Sequence, residues 1–202
     1  MATEERIRGR PREQRVDEAI RRATLELLDE VGYGGLSMEA VATRAGVGKP
    51  TVYRRFRSKP ELVFTYTIHG LALPPTPDTG SLRGDLRALT QRIVDSLLRP
   101  GAAGALPGLL DDLARNSELA ERFRASFVAS ERRLVREILE RAVERGELAR
   151  QPDVDLVHAL LLGPVFSWIF LSRNPVKRGL AKQLADHVTS ALEATAARKE
   201  NR

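Results

Sequence analysis

Apolar residues recur every three or four positions along most of the chain, and no stretch shows the strict apolar–polar alternation of a half-buried strand. This period is that of an α-helix with one face turned toward a core. The first such stripe consists of Val16, Ile20, Ala23, Leu27 and Val31. The pattern predicts an all-helical fold of about nine helices, of which this stripe marks the first.

Two short helices joined by a tight turn are predicted next. Ser37 precedes an apolar-periodic segment and suits the N-cap, while Gly46 suits the left-handed position at which that helix ends. Pro50 falls in the first turn of the second short helix, where a proline loses no hydrogen bond. Val52 and Phe56, four residues apart, then face the core, so the other side chains of this helix point outward.

A further helix is predicted from about Lys59 to Leu71, because Ser58 and Glu61 have the spacing of a capping box. The proline-rich residues 73–80 follow it and mark the best boundary between two parts of the chain. Five more helices are predicted from apolar stripes and their Pro, Gly and Asp boundaries, over about residues 82–97, 106–115, 119–146, 153–174 and 180–195. We therefore expect one domain at residues 1–72 and another at residues 81–202.

The second short helix and its flanks are basic, with no acidic residue between positions 44 and 59. The cations in this segment are Arg44, Lys49, Arg54, Arg55, Arg57 and Lys59. A cationic helix held rigidly at the surface by its neighbour is what the major groove of DNA accepts. Lys49 is the leading candidate for reading a base, since lysine donates to guanine O6 and N7. Arg44, Arg54 and Arg55 could bind either bases or phosphates.

Together these residues resemble the helix-turn-helix of the tetracycline-repressor (TetR/AcrR) family of bacterial transcriptional regulators. The matching positions are Gly32, Ser37, Val41, Ala42, Ala45, Gly46, Val47, Thr51, Tyr53, Phe56, Lys59 and Leu62. The resemblance implies that phosphates are gripped at the positions of Ser37, Thr51, Tyr53 and Lys59. Gly48, at the start of the recognition helix, completes the set of DNA-binding candidates.

The sequence departs from the family pattern at three positions. Gly48 stands where Ser or Thr is usual, Arg57 stands where Pro is common, and Glu39 stands where some members carry a base-reading Arg. These departures leave the expected fold unchanged. They do not allow the operator sequence of another family member to be assigned to this chain.

The charge of the chain permits DNA binding without establishing it. The 202 residues carry a formal net charge of +6, and the isoelectric point is about 10.1. Part of the excess lies in an N-terminal arm that contains Arg6, Arg8, Arg10, Arg12 and Arg15. Alone, such an arm would equally suit a solvated tail, but beside a helix-turn-helix it favours a minor-groove or phosphate contact.

Other classes of function have less support. The lack of Cys excludes disulfides and thiolate chemistry and suits a reducing cytoplasm. The charged start is unlike a signal peptide, and the longest apolar run, residues 156–171, is shorter than the ~20 residues of a bilayer span, so no membrane partner is expected. Three separated histidines form no metal cluster, and no catalytic or nucleotide-binding motif is present, so neither an enzyme nor a cofactor is expected.

The second domain offers candidates for two further contacts. Aromatic residues and one histidine could line a small-molecule cavity or could be ordinary core residues; they are Phe123, Phe127, His158, Phe166 and Trp168. The resemblance implies that the last two helices pack against their mates as a four-helix dimer interface. The candidate interface residues are Leu161, Val165, Ile169, Leu184, Val188 and Leu192.

The sequence thus favours a dimeric DNA-binding transcriptional regulator, interpreted as a repressor that binds a palindromic operator and is released by a small molecule. Its partners would be double-stranded DNA, an unidentified effector and a second copy of the chain. Two alternatives stay open. One is an architectural DNA-binding protein without an effector, and the other is a helical enzyme or carrier with an incidental basic face.

Overall fold

The computed structural model describes the backbone of residues 5–69, 75–99 and 101–200. Within these ranges it describes the side chains of residues 13–67, 75–99, 101–102 and 104–195. All regular structure in this part of the chain is helical, which confirms the all-helical prediction. Three helices contain a π-helical turn, and when each is counted together with its turn the described ranges hold nine helices.

The helices follow one another in the predicted order. The first four are α1 (Glu5–Gly35), α2 (Met38–Ala45), α3 (Lys49–Arg55) and α4 (Lys59–Phe64), the last continued by the π-helical turn Thr65–His69. Helices α5 (Leu82–Leu97) and α6 (Ala102–Arg115) come next. Helix α7 runs from Ser117–Phe123 through the π-helical turn Arg124–Val128 to Ala129–Glu144. Helix α8 joins Val154–Phe166 to the π-helical turn Ser167–Leu171, and α9 is Leu180–Glu200.

The chain divides into two compact units. The first combines residues 1–72 with residues 99–120, and the second combines residues 73–98 with residues 121–202. Helix α6 therefore packs with α1 and α4, although it follows the proline-rich segment in the chain. The sequence did not indicate that α6 packs with the N-terminal helices. The functional division between residues 1–72 and residues 81–202 stays a prediction.

The core of the first unit is built from aliphatic side chains on α1 to α4. Those with no exposed surface are Ile20, Val41, Val52, Leu62 and Val63. Val31, which the sequence placed on the inner stripe of α1, is half exposed instead. Gly32 has φ 67° and ψ −179°, so the regular helix is broken there. The Val31 side chain consequently covers Gly35, where an added Cβ would lie 2.8 Å from the Val31 Cβ.

The second unit packs α5, α7, α8 and α9 around one apolar cluster. Its fully buried residues include Leu86, Ile138, Leu139 and Leu161. A buried carboxylate, Asp85, lies in the first turn of α5. It accepts hydrogen bonds from the Thr79 amide at 2.6 Å and the Thr79 hydroxyl at 2.8 Å, and the Arg145 Nη2 lies 3.4 Å away. Because the charge is paired, it can remain buried while it ties the preceding segment to α5.

The turn between α2 and α3 has the predicted geometry. Ser37 Oγ caps α2 by accepting a hydrogen bond from the Ala40 amide at 3.1 Å. Gly46 ends α2 in the left-handed region with φ 66° and ψ 32°, and its amide bonds back to the last turn. Gly48 is the N-cap of α3 in extended backbone, and Pro50 lies in the first turn. Each local signal in this segment is confirmed.

Gly46→Ala should lower the free energy of unfolding by about 1–2 kcal/mol, because a side chain is disfavoured in left-handed backbone. Gly48→Ser is the matched control, since φ at Gly48 is −66° and the nearest atom to an added Cβ, Pro50 Cδ, is 3.7 Å away. A serine N-cap should be neutral or stabilising by a few tenths of a kcal/mol. Urea denaturation measures both variants, and equal losses would contradict this account of the turn.

Candidate nucleic-acid interface

Helix α3 is fixed by two apolar anchors on its inner side. Val52 is fully buried, and Phe56, which ends the helix, is 5% exposed. The Phe56 ring meets the Tyr66 ring edge to face, with centroids 5.1 Å apart. Since α3 has only 7 residues and such a short helix is not stable alone in water, these contacts determine its position.

The outer side of α3 carries side chains predicted to contact DNA. Lys49, Tyr53 and Arg54 are exposed, and Thr51 is partly exposed. Gly48 is also exposed and provides no side-chain cap to the helix. Ammonium, guanidinium and hydroxyl groups presented on a rigid helix can donate to base edges and to phosphates. The arrangement is therefore compatible with the predicted contacts.

Glu39 of α2 is in direct contact with this surface. The Tyr53 hydroxyl donates a hydrogen bond to Glu39 Oε1 at 2.8 Å. This bond lowers the pKa of Glu39 and raises the pKa of Tyr53. Tyr53 therefore already has an acceptor before DNA arrives, and a phosphate would have to replace the carboxylate.

Two arginines of the basic segment are held by carboxylates of α1. Arg44 donates through both Nη atoms to the two carboxylate oxygens of Glu30, at 2.7 Å each. Arg55 donates through Nε to Asp17 at 2.6 Å, and only 18% of its side chain is exposed. The Tyr66 hydroxyl also donates to the Asp17 carbonyl at 3.2 Å. Arg55 thus braces α3 against α1 and is less available to DNA than its sequence position suggested.

Lys59 and Ser37 were predicted to grip phosphates from the ends of two neighbouring helices. Lys59 begins α4, and its Nζ donates to the Tyr33 carbonyl at 3.1 Å while lying 4.3 Å from the centre of the Tyr33 ring. Ser37 is exposed and uses its oxygen as the acceptor that caps α2. The Ser37 hydroxyl hydrogen and the other ammonium hydrogens of Lys59 remain suited to a phosphate oxygen.

The predicted N-terminal arm lies largely outside the described side chains. This applies to Arg6, Arg8, Arg10 and Arg12, whereas Arg15 is exposed on α1. A contact between the arm and DNA consequently remains a prediction.

Four of the aromatic residues near the predicted effector site form two pairs in the second unit. The Phe123 and Phe127 ring centroids are 5.1 Å apart, as are those of Phe166 and Phe170. All four side chains are partly buried, and each pair coincides with a π-helical turn. Such turns are rare and occur often at functional sites. A role for these rings in binding a small molecule stays a prediction.

The other two effector candidates differ in their surroundings. His158 lies on the inner side of α8 with 8% exposure, and its Nε2 is 3.1 Å from Glu131 Oε2 of α7. Trp168 is 37% exposed and donates through Nε1 to the Pro175 carbonyl at 3.3 Å. His158 is therefore a packed residue with a carboxylate partner, and Trp168 is a surface residue.

The predicted dimer residues also divide by burial. Leu161 and Val165 have no exposed surface and Val188 is 7% exposed, so these three contact their own unit and leave almost nothing for a second copy. Ile169, Leu184 and Leu192 are partly buried, and Leu192 packs against the core cluster. These residues are buried because the sides of α8 and α9 that carry them pack against each other and against α5.

The opposite side of α8 presents an apolar surface, here called the α8 outer face. Its exposed residues are Leu156, Leu160, Gly163, Pro164 and Leu171. By length and composition alone, residues 154–171 could cross a membrane, the single such helix in the part of the chain that the structure describes. One such helix is weak evidence, because apolar packing helices share these properties. Contiguous exposed apolar surface is typical of protein–protein contact sites.

Two family profiles match the chain. Residues 20–65 match the family described as "Bacterial regulatory proteins, tetR family". Residues 76–188 match the family described as "Tetracyclin repressor-like, C-terminal domain". The second match alone covers more than half of the chain. The chain belongs to the TetR family. The resemblance read from the helix-turn-helix is confirmed, and the protein is a helix-turn-helix transcription regulator.

Individual TetR-family proteins agree with this assignment. An HTH-type transcriptional regulator of Mycobacterium tuberculosis is 35% identical over 168 residues, which cover 82% of this chain and 81% of that one. The DNA-binding transcriptional repressor TetR of Mycobacteroides abscessus is 33% identical over 146 residues, covering 69% and 74%. The crystal structure of the TetR family transcription regulator SCO0332 has a TM-score of 0.66 at 29% identity, covering 87% of this chain and 97% of that one. These relatives are transcription regulators, not enzymes.

Four partners of the TetR-family helix-turn-helix were not predicted from the sequence, and one of them is Glu30, which binds Arg44. Glu39 was recognised only as a departure from the family pattern, although an acidic residue on a DNA-facing surface was the available signal. Asp17 lies 38 positions before Arg55, and no local pattern connects them. No sequence pattern distinguishes Tyr33 from the other aromatic residues, because its contact with Lys59 forms only in the folded chain.

Neighbouring arginines on α3 should separate stability from DNA binding. Arg55→Ala should lower the free energy of unfolding by about 1 kcal/mol, because it breaks a partly buried ion pair with Asp17. Arg54→Ala should leave stability within about 0.5 kcal/mol. It should instead reduce the slope of log affinity against log salt by about 0.9, the value of one phosphate contact. Urea denaturation and salt-dependent DNA titration of both variants test this, and the reverse pattern would reassign the two residues.

Proposed function

We propose that this TetR-family regulator is a cytoplasmic repressor that binds palindromic DNA as a dimer and is released by a small molecule. The observation that carries the proposal is the basic outer side of α3, held in place by its two apolar anchors. Lys49 reads a base, and Arg54 binds a base or a phosphate. Phosphate contacts are assigned to Ser37, Thr51, Tyr53 and Lys59. The M. abscessus relative is named as a repressor, which supports repression here.

The proposed dimer uses the α8 outer face. Leu156 is 58% exposed and Leu171 is 72% exposed, so both hold apolar surface that their own unit does not cover. The same face on a second copy would cover it in an isologous, two-fold contact. Two copies related by such an axis carry two α3 helices, and this symmetry is the reason to expect a palindromic operator.

The proposed effector site lies in the second unit at the aromatic pairs of α7 and α8. The half-buried rings of Phe123, Phe127 and Phe166 offer apolar surface, and the His158–Glu131 pair offers a polar group nearby on the same two helices. A small apolar or aromatic molecule fits this composition. Release follows if the effector binds better to a conformation in which the two α3 helices no longer match adjacent major grooves.

Lys49→Ala should broaden the DNA consensus and weaken binding to the preferred site by about 1–3 kcal/mol, because a base contact is lost. Lys182→Ala is the matched control: it removes the same charge from α9, where Lys182 pairs with Asp186. Selection from a random DNA pool, followed by titration of the recovered site, measures both effects. If Lys49→Ala left the selected DNA consensus unchanged, Lys49 would not be a base-reading residue.

Leu156→Asp should produce monomers that keep their helical content, because the interface would have to bury an unpaired charge. Leu110→Asp is the control, since Leu110 is a similarly exposed leucine, at 44%, on α6 of the first unit. Sedimentation and far-UV circular dichroism measure assembly and folding. A wild-type chain that sediments as a monomer at micromolar concentration would contradict the proposed dimer and the palindrome with it.

A further inference from the structure

Tyr33 lies where three elements of the first unit meet: the end of α1, the start of α4, and α6. It is 8% exposed, and its hydroxyl donates to Asp112 Oδ2 at 2.5 Å. The ring lies against Gly108, where an added Cβ would come within 2.3 Å of the ring Cδ1. Gly108 and Asp112 are one turn apart on α6, so this helix contacts both the ring and the hydroxyl of Tyr33.

Tyr33 also contacts Lys59, at the start of α4. The Lys59 ammonium donates one hydrogen to the Tyr33 carbonyl at 3.1 Å and lies 4.3 Å from the centre of the ring. An ammonium has three hydrogens, so two remain for a phosphate oxygen. A free lysine side chain would lose considerable rotamer freedom on binding DNA. Here Tyr33 restricts that freedom before DNA arrives, which favours binding.

The hydroxyl of Tyr33 is suited to a lasting contact with Asp112. Burial, together with the hydrogen bond to the carboxylate, raises the pKa of Tyr33 above its ordinary value. The hydroxyl therefore keeps its proton and remains a donor throughout the neutral range. A short bond between this donor and a carboxylate is of the stronger, charge-assisted kind.

We propose that Tyr33 is a positioning residue for DNA binding: α6 holds Tyr33 through Asp112 and Gly108, and Tyr33 holds the Lys59 ammonium toward a phosphate. The proposal rests on the proposed function, in which Lys59 contacts the DNA backbone. It adds to that function a residue, Tyr33, that acts on DNA only through the Lys59 ammonium. Asp112 lies 79 positions from Tyr33, so this support for the DNA-binding surface comes from a distant part of the sequence.

The test is a set of double-mutant cycles read as DNA affinity. Tyr33→Phe and Asp112→Ala should each weaken binding about threefold to tenfold, the effect of one lost hydrogen bond. In a Lys59→Ala background neither change should have a further effect, because both act through the ammonium. Asp112→Asn keeps an acceptor and should restore most of the affinity. Asp111→Ala is the control, since it removes an equal charge from α6 where Asp111 pairs with Arg115.

Thermal unfolding of each variant separates positioning from folding. The positioning role would be overturned if the affinity losses of Tyr33→Phe and Asp112→Ala added to the loss of Lys59→Ala. It would also be overturned if those affinity losses were proportional to the decrease in melting temperature. Unchanged affinity in Tyr33→Phe and Asp112→Ala would also overturn it, while a loss in Lys59→Ala alone would leave the proposed DNA surface intact. If the wild-type chain bound no DNA, the proposed function itself would fail, and this outcome is distinct from the others.

Discussion

The DNA-reading surface depends on the burial of Val52 and Phe56, because these side chains hold a helix of 7 residues that could not persist alone. Once they are buried, the opposite side of α3 must face outward, and the basic residues there are presented together. The left-handed turn at Gly46 sets the direction in which α3 leaves α2. Ion pairs and hydrogen bonds from α1 then fix individual side chains, but they act on a helix that packing has already placed.

Local chemistry made the helix-turn-helix predictable from sequence. Ser37, Gly46 and Pro50 each have a backbone preference that acts over a few residues, and the apolar period gave the helix order and the inner face of α3. Contacts between distant residues were not predictable in this way. The Arg55–Asp17 pair and the Tyr33–Asp112 bond join positions 38 and 79 apart, so they exist only because α1 and α6 pack in the same unit as α3 and α4.

The orientation of helix α8 was also not predictable from the sequence, but for a different reason. Its sequence is apolar on nearly all sides, so periodicity could not distinguish the side facing its own unit from the side facing outward. The structure turns Leu161 and Val165 inward and leaves Leu156 and Leu171 exposed. The proposed dimer contact therefore moves from the buried residues expected by sequence to the α8 outer face. Of the two helices that the family resemblance implied, it keeps α8.

The central claim is that α3 reads DNA as one of two symmetry-related helices. Hydroxyl-radical footprinting on a DNA site that the wild-type chain selects tests it most directly, because the cleavage pattern reports which backbone positions are covered. The account predicts two protected regions related by a dyad, with half-site centres about one helical turn, ~10 bp, apart or somewhat more. A single protected region without dyad symmetry, or uniform weak protection along the DNA, would contradict it.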